Sequence, residues 1–281
     1  MRIGIYLPTI IPGVGARDAR RWARRAEELG FATVAVTDRG ADEPFEPLAS
    51  AYTALAVTRR IGVFGDVTFS PTWTAELSAL HTASLDRAGG GRYTAGVTFA
   101  DPLAIVDGLD ATDSYWMADA QLAELHRADR STGVVPAAGP PPLVIGGRGG
   151  IVAELVARHA DGWLMRAGSP EAFATELTPV RDAWATAGRV GRPVATAAFG
   201  FALGDLAASA AEVLHDRLRA TQGAEVAAAV VAGSAADEAA VRERVAAFAA
   251  AGADQVLAVP STPDITELDR LAAVLPRLVH A

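Results

Sequence analysis

From end to end the chain alternates short apolar runs with longer amphipathic stretches, and that alternation limits what it can build. RIGIYL (Arg2–Leu7) reads as a strand, and Ala16–Leu29 follows as a helix stopped at Gly30. The pairing recurs as strand Thr33–Thr37 with helix Glu46–Val57, strand Ile61–Phe69 with helix Thr74–Arg87, and strand Arg92–Thr98 with helix Tyr115–Ala128. Strand Leu143–Ile145 leads into helix Ile151–His159, strand Gly162–Met165 into helix Pro170–Ala187, and strand Val194–Leu203 into two helical stretches, Ala207–Ala220 and Ala235–Ala251. Strand Asp254–Val259 and helix Asp264–Leu278 close the chain. Eight strands alternating with helices over 281 residues is the α/β count of a (β/α)₈ barrel. An open doubly wound sheet shares the alternation. It usually has fewer strands and a glycine fingerprint after the first, where this chain has Leu7-Pro8-Thr9. No break in composition divides the sequence, so residues 1–281 read as a single barrel domain.

Absences narrow the chemistry. There is no cysteine, which removes thiolate nucleophiles, disulfides and zinc–thiolate sites. All 25 basic residues are arginine, so Schiff-base lysines and the P-loop lysine are excluded as well. The net charge is −8 and the arginines are scattered, which argues against nucleic acid as a partner. No run reaches the ~18 apolar residues of a membrane span, and MRIGIYLPTIIPG reads as a buried strand, not as a leader. The expected location is the cytoplasm. The five histidines have no metal-ligand spacing, and GxSxG is absent.

A barrel of this kind places function where strands end and the following loops begin. The densest such place is PPPLVIGGRGGIVAELVARHADGWL (Pro140–Leu164), with four glycines in five positions between a strand and a helix. Free backbone N–H groups at a helix start, with no side chains in the way, cradle an anion. Arg148 adds a cation on the same loop. A strand-to-helix turn that uses glycine for tight packing would leave the same pattern.

LDRAGGGRYTAGV (Leu85–Val97) and PPLVIGGRGGIVAELVARHADGW (Pro141–Trp163) resemble the two signature regions of the bacterial luciferase-like oxidoreductases. GIYLPT, AEELGFATVAVTD, RRIGVFGDV and AAGADQVLAVP fit the same family in order. The resemblance implies a (β/α)₈ barrel, often a homodimer, that uses flavin mononucleotide (FMN) or the deazaflavin coenzyme F420. The compact length is similar to the deazaflavin-dependent branch. Carried onto this chain, it makes the Gly146 and Gly147 amides phosphate ligands, with Arg148 beside them and Arg166 as a second clamp after the Asp-Gly-Trp strand. Thr98, at the fourth strand's end, joins the cofactor site. Asp66-Val67 aligns with the dipeptide that in many relatives lies beneath the cofactor ring in a non-prolyl cis bond, although an aspartate there is unusual. Asp101 falls where deazaflavin-dependent relatives carry an acidic glutamate, which makes it the expected catalytic acid. Phe99 and Trp116 are candidate apolar walls for it.

Three departures bear on the reading. Arg39 stands where many members have histidine, Phe99 stands where the luciferases have a phosphate-binding arginine, and the segment Pro102–Gly139 is much shorter than in long members. The resulting expectation is an F420-dependent oxidoreductase that moves hydride between the deazaflavin C5 and a small organic substrate. An FMN-dependent monooxygenase and a non-catalytic partner subunit are the alternatives. A barrel enzyme gripping a phosphorylated metabolite ranks last.

Overall fold

The structure is a computed structural model that describes residues 1–37, 46–68, 74–98, 111–128, 139–204 and 224–275, with isolated positions between 207 and 219. The strands are β1 (Arg2–Tyr6), β2 (Thr33–Thr37), β3 (Gly62–Thr68), β4 (Tyr93–Thr98), β5 (Leu143–Gly146), β6 (Gly162–Met165), β7 (Val194–Phe201) and β8 (Gln255–Pro260). They form one closed parallel barrel in sequence order, with β8 paired back onto β1 through Arg2–Gln255 to Ile5–Ala258. Around it run α1 (Ala16–Leu29), α2 (Pro47–Val57), α3 (Ala75–Gly89), α4 (Ala111–Ala128), α5 (Gly149–His159), α6 (Pro170–Thr186), α7 (Ala224–Ala232), α8 (Glu238–Ala250) and α9 (Thr266–Val274). The expected barrel is the observed one.

Helices cover the outside of the barrel and side chains fill its inside, so a strand has no face for water. All five residues of β2 (TVAVT) are accordingly buried. Alternate residues separate into two apolar layers. One packs strands against helices and contains Trp22, Trp163, Phe173 and Phe248, with Phe173 edge-on to Phe248 at 5.7 Å between centroids. The other is the barrel interior: Tyr6, Ala35, Phe64, Val144, Leu164, Ala198 and Leu257. The interior is filled by pairing large side chains with glycine. A Cβ on Gly96 would lie 2.4 Å from the Phe64 ring.

Two elements differ from expectation. The helix after β5 begins at Gly149 rather than Ile151, because the second glycine pair forms its first turn. Helix α7 was not expected, since AEVAAAVVA has no apolar period to read. The expected helix Ala207–Ala220 falls largely outside the described residues.

Two of the sequence motifs explain themselves at the end of the barrel opposite its mouth. The Glu27 Oε1, near the end of α1, accepts from the backbone N–H groups of Arg59, Arg60 and Ile61 at 2.8, 2.6 and 3.0 Å. Arg92, leading into β4, donates to the carbonyls of Leu55, Thr58 and Ile61 and to the Thr58 hydroxyl at 2.8–3.2 Å. The α2–β3 turn is thus held by its amides from one side and by its carbonyls from the other. Partial burial raises the Glu27 carboxyl pKa, but the bonds from the Arg60, Ile61 and Arg59 amides outweigh it, and the net shift is downward. A depressed native pKa stabilises the fold above the ordinary glutamate range, and that contribution is lost as pH falls through the native value. Glu27→Gln should therefore lower stability at neutral pH by ~1–2 kcal/mol and flatten the acid limb of the stability curve. Urea unfolding between pH 7 and pH 3 measures both effects.

Candidate functional site at the barrel mouth

Four strands deliver polar groups to one point at the C-terminal end of the barrel. Asp66 on β3 is fully buried. Its Oδ2 accepts from the Tyr6 hydroxyl at 2.5 Å, and its Oδ1 accepts from the Thr98 hydroxyl at 2.6 Å. Arg166, the first residue after β6, donates Nη2 to the same Oδ1 and, at 3.2 Å, to the Asp66 carbonyl. The guanidinium therefore joins β6 to β3, three strands away around the ring of eight. Burial raises the Tyr6 pKa well above that of an ordinary tyrosine, and the neighbouring Asp66 carboxylate adds to the rise, so Tyr6 serves as a donor here. Thr9, just past β1, is also buried, and its hydroxyl has no hydrogen-bond partner among the described residues.

The glycine loop lies alongside. Gly146 ends β5 in register with Thr98, and a Cβ on it would meet the Thr98 hydroxyl at 2.4 Å. Packing explains that glycine. Gly147 has φ 137°, in the region that favours glycine, and its N–H is spent on the Leu164 carbonyl at 3.1 Å. Its carbonyl accepts from the Trp163 indole N–H at 2.9 Å, which ties the two halves of the Gly-Gly…Asp-Gly-Trp motif together. Arg148 is the N-cap residue of α5 and gives its side chain to the Ala167 carbonyl. A Cβ on Gly149 or Gly150 would meet nothing within 4 Å; Gly149, at φ 86°, needs glycine for its backbone, whereas internal packing does not account for Gly150. The Gly149 N–H donates to Glu176 Oε2 at 2.9 Å, while those of Gly150 and Ile151 belong to the first helical turn, where no intrahelical acceptor exists.

The sequence-predicted residues therefore divide into two groups. Asp66, Thr98 and Arg166 come together, but as partners of one another. Arg166 gives Nη2 to Asp66, and Thr98 gives its hydroxyl to the same carboxylate. Val67, half-buried and in register with Val97, takes the opposite face of β3 from Asp66. Gly146, Gly147 and Arg148 form the expected loop, but the Gly147 N–H is taken by β6, and the amides without an intrahelical acceptor are those at the helix start. Asp101, Phe99 and Arg39 lie outside the described residues. Trp116 is 57% exposed on α4 and stands edge-on to Tyr115, so it is not a buried wall. Tyr6, Trp163 as a loop clamp, and Glu176 were missed. Of these, only the aromatic residue two places before Pro8 on an alternating strand offered a local signal.

No group of acidic or histidine side chains among the described residues could hold a metal. His159 is a tie between helices, with its Nε2 2.8 Å from Asp119 on α4. The polar floor of the barrel, lined by Thr33, Thr94, Thr196 and Gln255, encloses about 250 Å³. The apolar interior layer separates this cavity from the mouth. Among the described residues no helix is long and apolar enough to cross a membrane.

The buried pair at the mouth makes a measurable demand. Arg166→Met leaves the Asp66 carboxylate buried without its cation and should cost about 3–5 kcal/mol. Adding Asp66→Asn removes the stranded charge and keeps partners for Tyr6 and Thr98, so the double variant should recover most of that loss. Denaturant unfolding of both variants tests this.

The chain can now be set beside known proteins. A profile described as luciferase-like monooxygenase matches residues 1–264. No curated protein matches the sequence. Among solved structures, an F420-dependent secondary alcohol dehydrogenase in complex with an F420–acetone adduct is similar at 17% identity and TM-score 0.79, covering 99% of this chain and 98% of its own. The coenzyme F420-dependent tetrahydromethanopterin reductase of Methanopyrus kandleri is similar at 18% identity and TM-score 0.70, with 95% and 96% covered. The monooxygenase RslO1 of Streptomyces bottropensis is similar at 20% identity and TM-score 0.71, with 98% and 99% covered. At these identities the solved structures attest the fold. The profile, which spans nearly the whole chain, attests the family: this chain belongs to the luciferase-like monooxygenase family.

Proposed function

We propose that the chain is an F420-dependent oxidoreductase acting on a small organic substrate at the barrel mouth. The observation that carries this is the start of α5, where Gly150, with open space around it, and Ile151 present helix-end amides beside the mouth. A phosphate fits that donor set: the N–H groups of Gly150 and Ile151, with the helix dipole behind them, favour an anion. The cofactor phosphate would be held there, and its ring would lie over Asp66 and Val67. The ring would thus rest on an internally neutralised pair, Asp66 with Arg166, whose carboxylate is also bonded by Tyr6 and Thr98. When bound, the deazaflavin supplies a hydride-carrying carbon, and the protein binds and orients it and moves the proton. Asp101, three residues past the end of β4, is the proposed proton donor.

Two observations favour deazaflavin over FMN. Phe99 replaces the arginine that the resemblance assigns to phosphate binding in the luciferases. The F420-dependent secondary alcohol dehydrogenase is similar at TM-score 0.79, against 0.71 for the RslO1 monooxygenase. The likeness to a riboflavin lyase solved with modified FMN, at 16% identity and TM-score 0.73 over 100% of the chain, supports FMN as the second reading.

Equilibrium titration of oxidised F420 and of FMN separates these readings, and affinity for neither would defeat both. Gly150→Val tests the site itself. Its side chain enters open space, so the variant should fold normally, yet it should bind the cofactor at least ~10-fold more weakly. Asp101→Asn should leave cofactor affinity intact and lower turnover by about 10²–10⁴-fold, the usual worth of a general acid. Turnover is read as oxidation of reduced F420 in the presence of a substrate found by screening.

A further inference from the structure

The floor of the barrel differs in chemistry from the layer above it. In that layer large apolar side chains are matched to glycines, as Phe64 is to Gly96. Below it, at the N-terminal ends of the strands, Thr33, Thr94, Thr196 and Gln255 line the cavity of about 250 Å³. Thr196, Gln255 and Thr33 are only 5%, 8% and 9% exposed. Yet none of the four side chains makes a hydrogen bond to another described residue. Buried hydroxyl and amide groups are normally paired, so these await partners from outside the chain. Packing alone does not call for them, since valine would fill the volume of each threonine.

The strand register sets three cavity groups in a row. Arg2 on β1, Gln255 on β8 and Thr196 on β7 are direct neighbours across the seam where the barrel closes. Residues in register share a face of the sheet, and all three line the cavity. Arg2 stands at the exposed rim, with no ion pair or side-chain hydrogen bond to a described residue. The acidic group at the rim is already committed. Asp161 accepts from the Leu143 N–H at 3.0 Å and pairs with Arg189 at 3.7 Å. The cavity therefore has one uncompensated positive charge at its opening and neutral donors and acceptors within.

We propose that the floor cavity is a second binding site, for a short hydroxy-carboxylate. The carboxylate pairs with Arg2, and the hydroxyl groups bond to Gln255 and the threonines. A cavity of ~150 Å³ takes benzene, so this one admits an acid of about three carbons. Water can satisfy the threonines and the amide but supplies no counter-charge. The site is separate from the mouth, because the apolar layer lies between the two. Its occupant ties β7, β8 and β1 together at the seam and so stabilises the closed barrel.

The test uses glycerate, which has one carboxylate and two hydroxyl groups. Propionate keeps the charge without the hydroxyls, and glycerol keeps the hydroxyls without the charge. Calorimetric titration of the full chain should show saturable glycerate binding with Kd of about 1 mM or tighter, and both controls should bind at least ~10-fold more weakly. Glycerate should also raise the melting temperature. Thr196→Val keeps the side-chain volume, and Arg2→Gln changes only the exposed rim. Each should weaken glycerate binding at least ~10-fold, with circular dichroism confirming the fold. If Thr196→Val does not fold, Arg2→Gln decides alone. Gly150→Val, at the mouth, should bind glycerate as the unaltered protein does. The proposal is overturned if glycerate shows no saturable binding, or if propionate or glycerol binds equally well. Glycerate affinity left intact by the folded floor variants, or lost in Gly150→Val, would overturn it too, since the ligand would then sit elsewhere.

Discussion

A carboxylate without solvent sits at the centre of the barrel mouth, and the surrounding arrangement follows from satisfying it. An isolated buried charge costs several kcal/mol, so Asp66 must be met by donors or neutralised. Tyr6 reaches it from β1, Thr98 from β4 and Arg166 from the end of β6, which are three separate parts of the sequence. Meeting it fixes much else. Gly146 can bear no side chain, because the Thr98 hydroxyl stands where its Cβ would be. Arg166 must turn inward, so the loop after β6 offers Ala167 as the acceptor for Arg148. The glycine loop and the mouth are thus one mechanical unit, coupled through Thr98 on one side and through Trp163 and Gly147 on the other.

The motifs that identify the family by sequence do mostly architectural work. Glu27 and Arg92 grip the same turn at the opposite end of the barrel, and neither is near the mouth. Trp163 is buried in the helix layer and holds the loop through its N–H. Motif and site are linked by leverage: the scaffold residues set where main-chain amides end up. A binding site written in backbone geometry survives wide sequence divergence, because almost any side chain is compatible with it provided the glycines stay open.

Legibility in the sequence follows the same division. Local periodicity and glycine stops gave Ala16–Leu29, Thr33–Thr37 and Gly162–Met165 to the residue, because each is decided by neighbours within a few positions. The closed barrel followed from counting those units. The position of Asp66 was readable, but its partnership with Arg166 was not: the two lie a hundred residues apart, and nothing local to either specifies the other. The same holds for Glu176, one of several acidic residues on α6, which becomes distinctive only when α5 is laid beside it. Gly147 was read as a donor because its residue type allows close approach. The barrel ladder takes that N–H first, and only strand register reveals it.

This ordering indicates where chemical specificity must reside. The described mouth offers a neutral ion pair, two committed hydroxyls, the lone hydroxyl of Thr9 and a helix start, which together suit holding a flat ring and its phosphate. None of them distinguishes one organic substrate from another. Strands ending in such fixed networks have no freedom left to adapt. Selection between substrates, if the chain is the oxidoreductase proposed here, therefore belongs to side chains outside this network. On that proposal the barrel keeps the common task of presenting the cofactor.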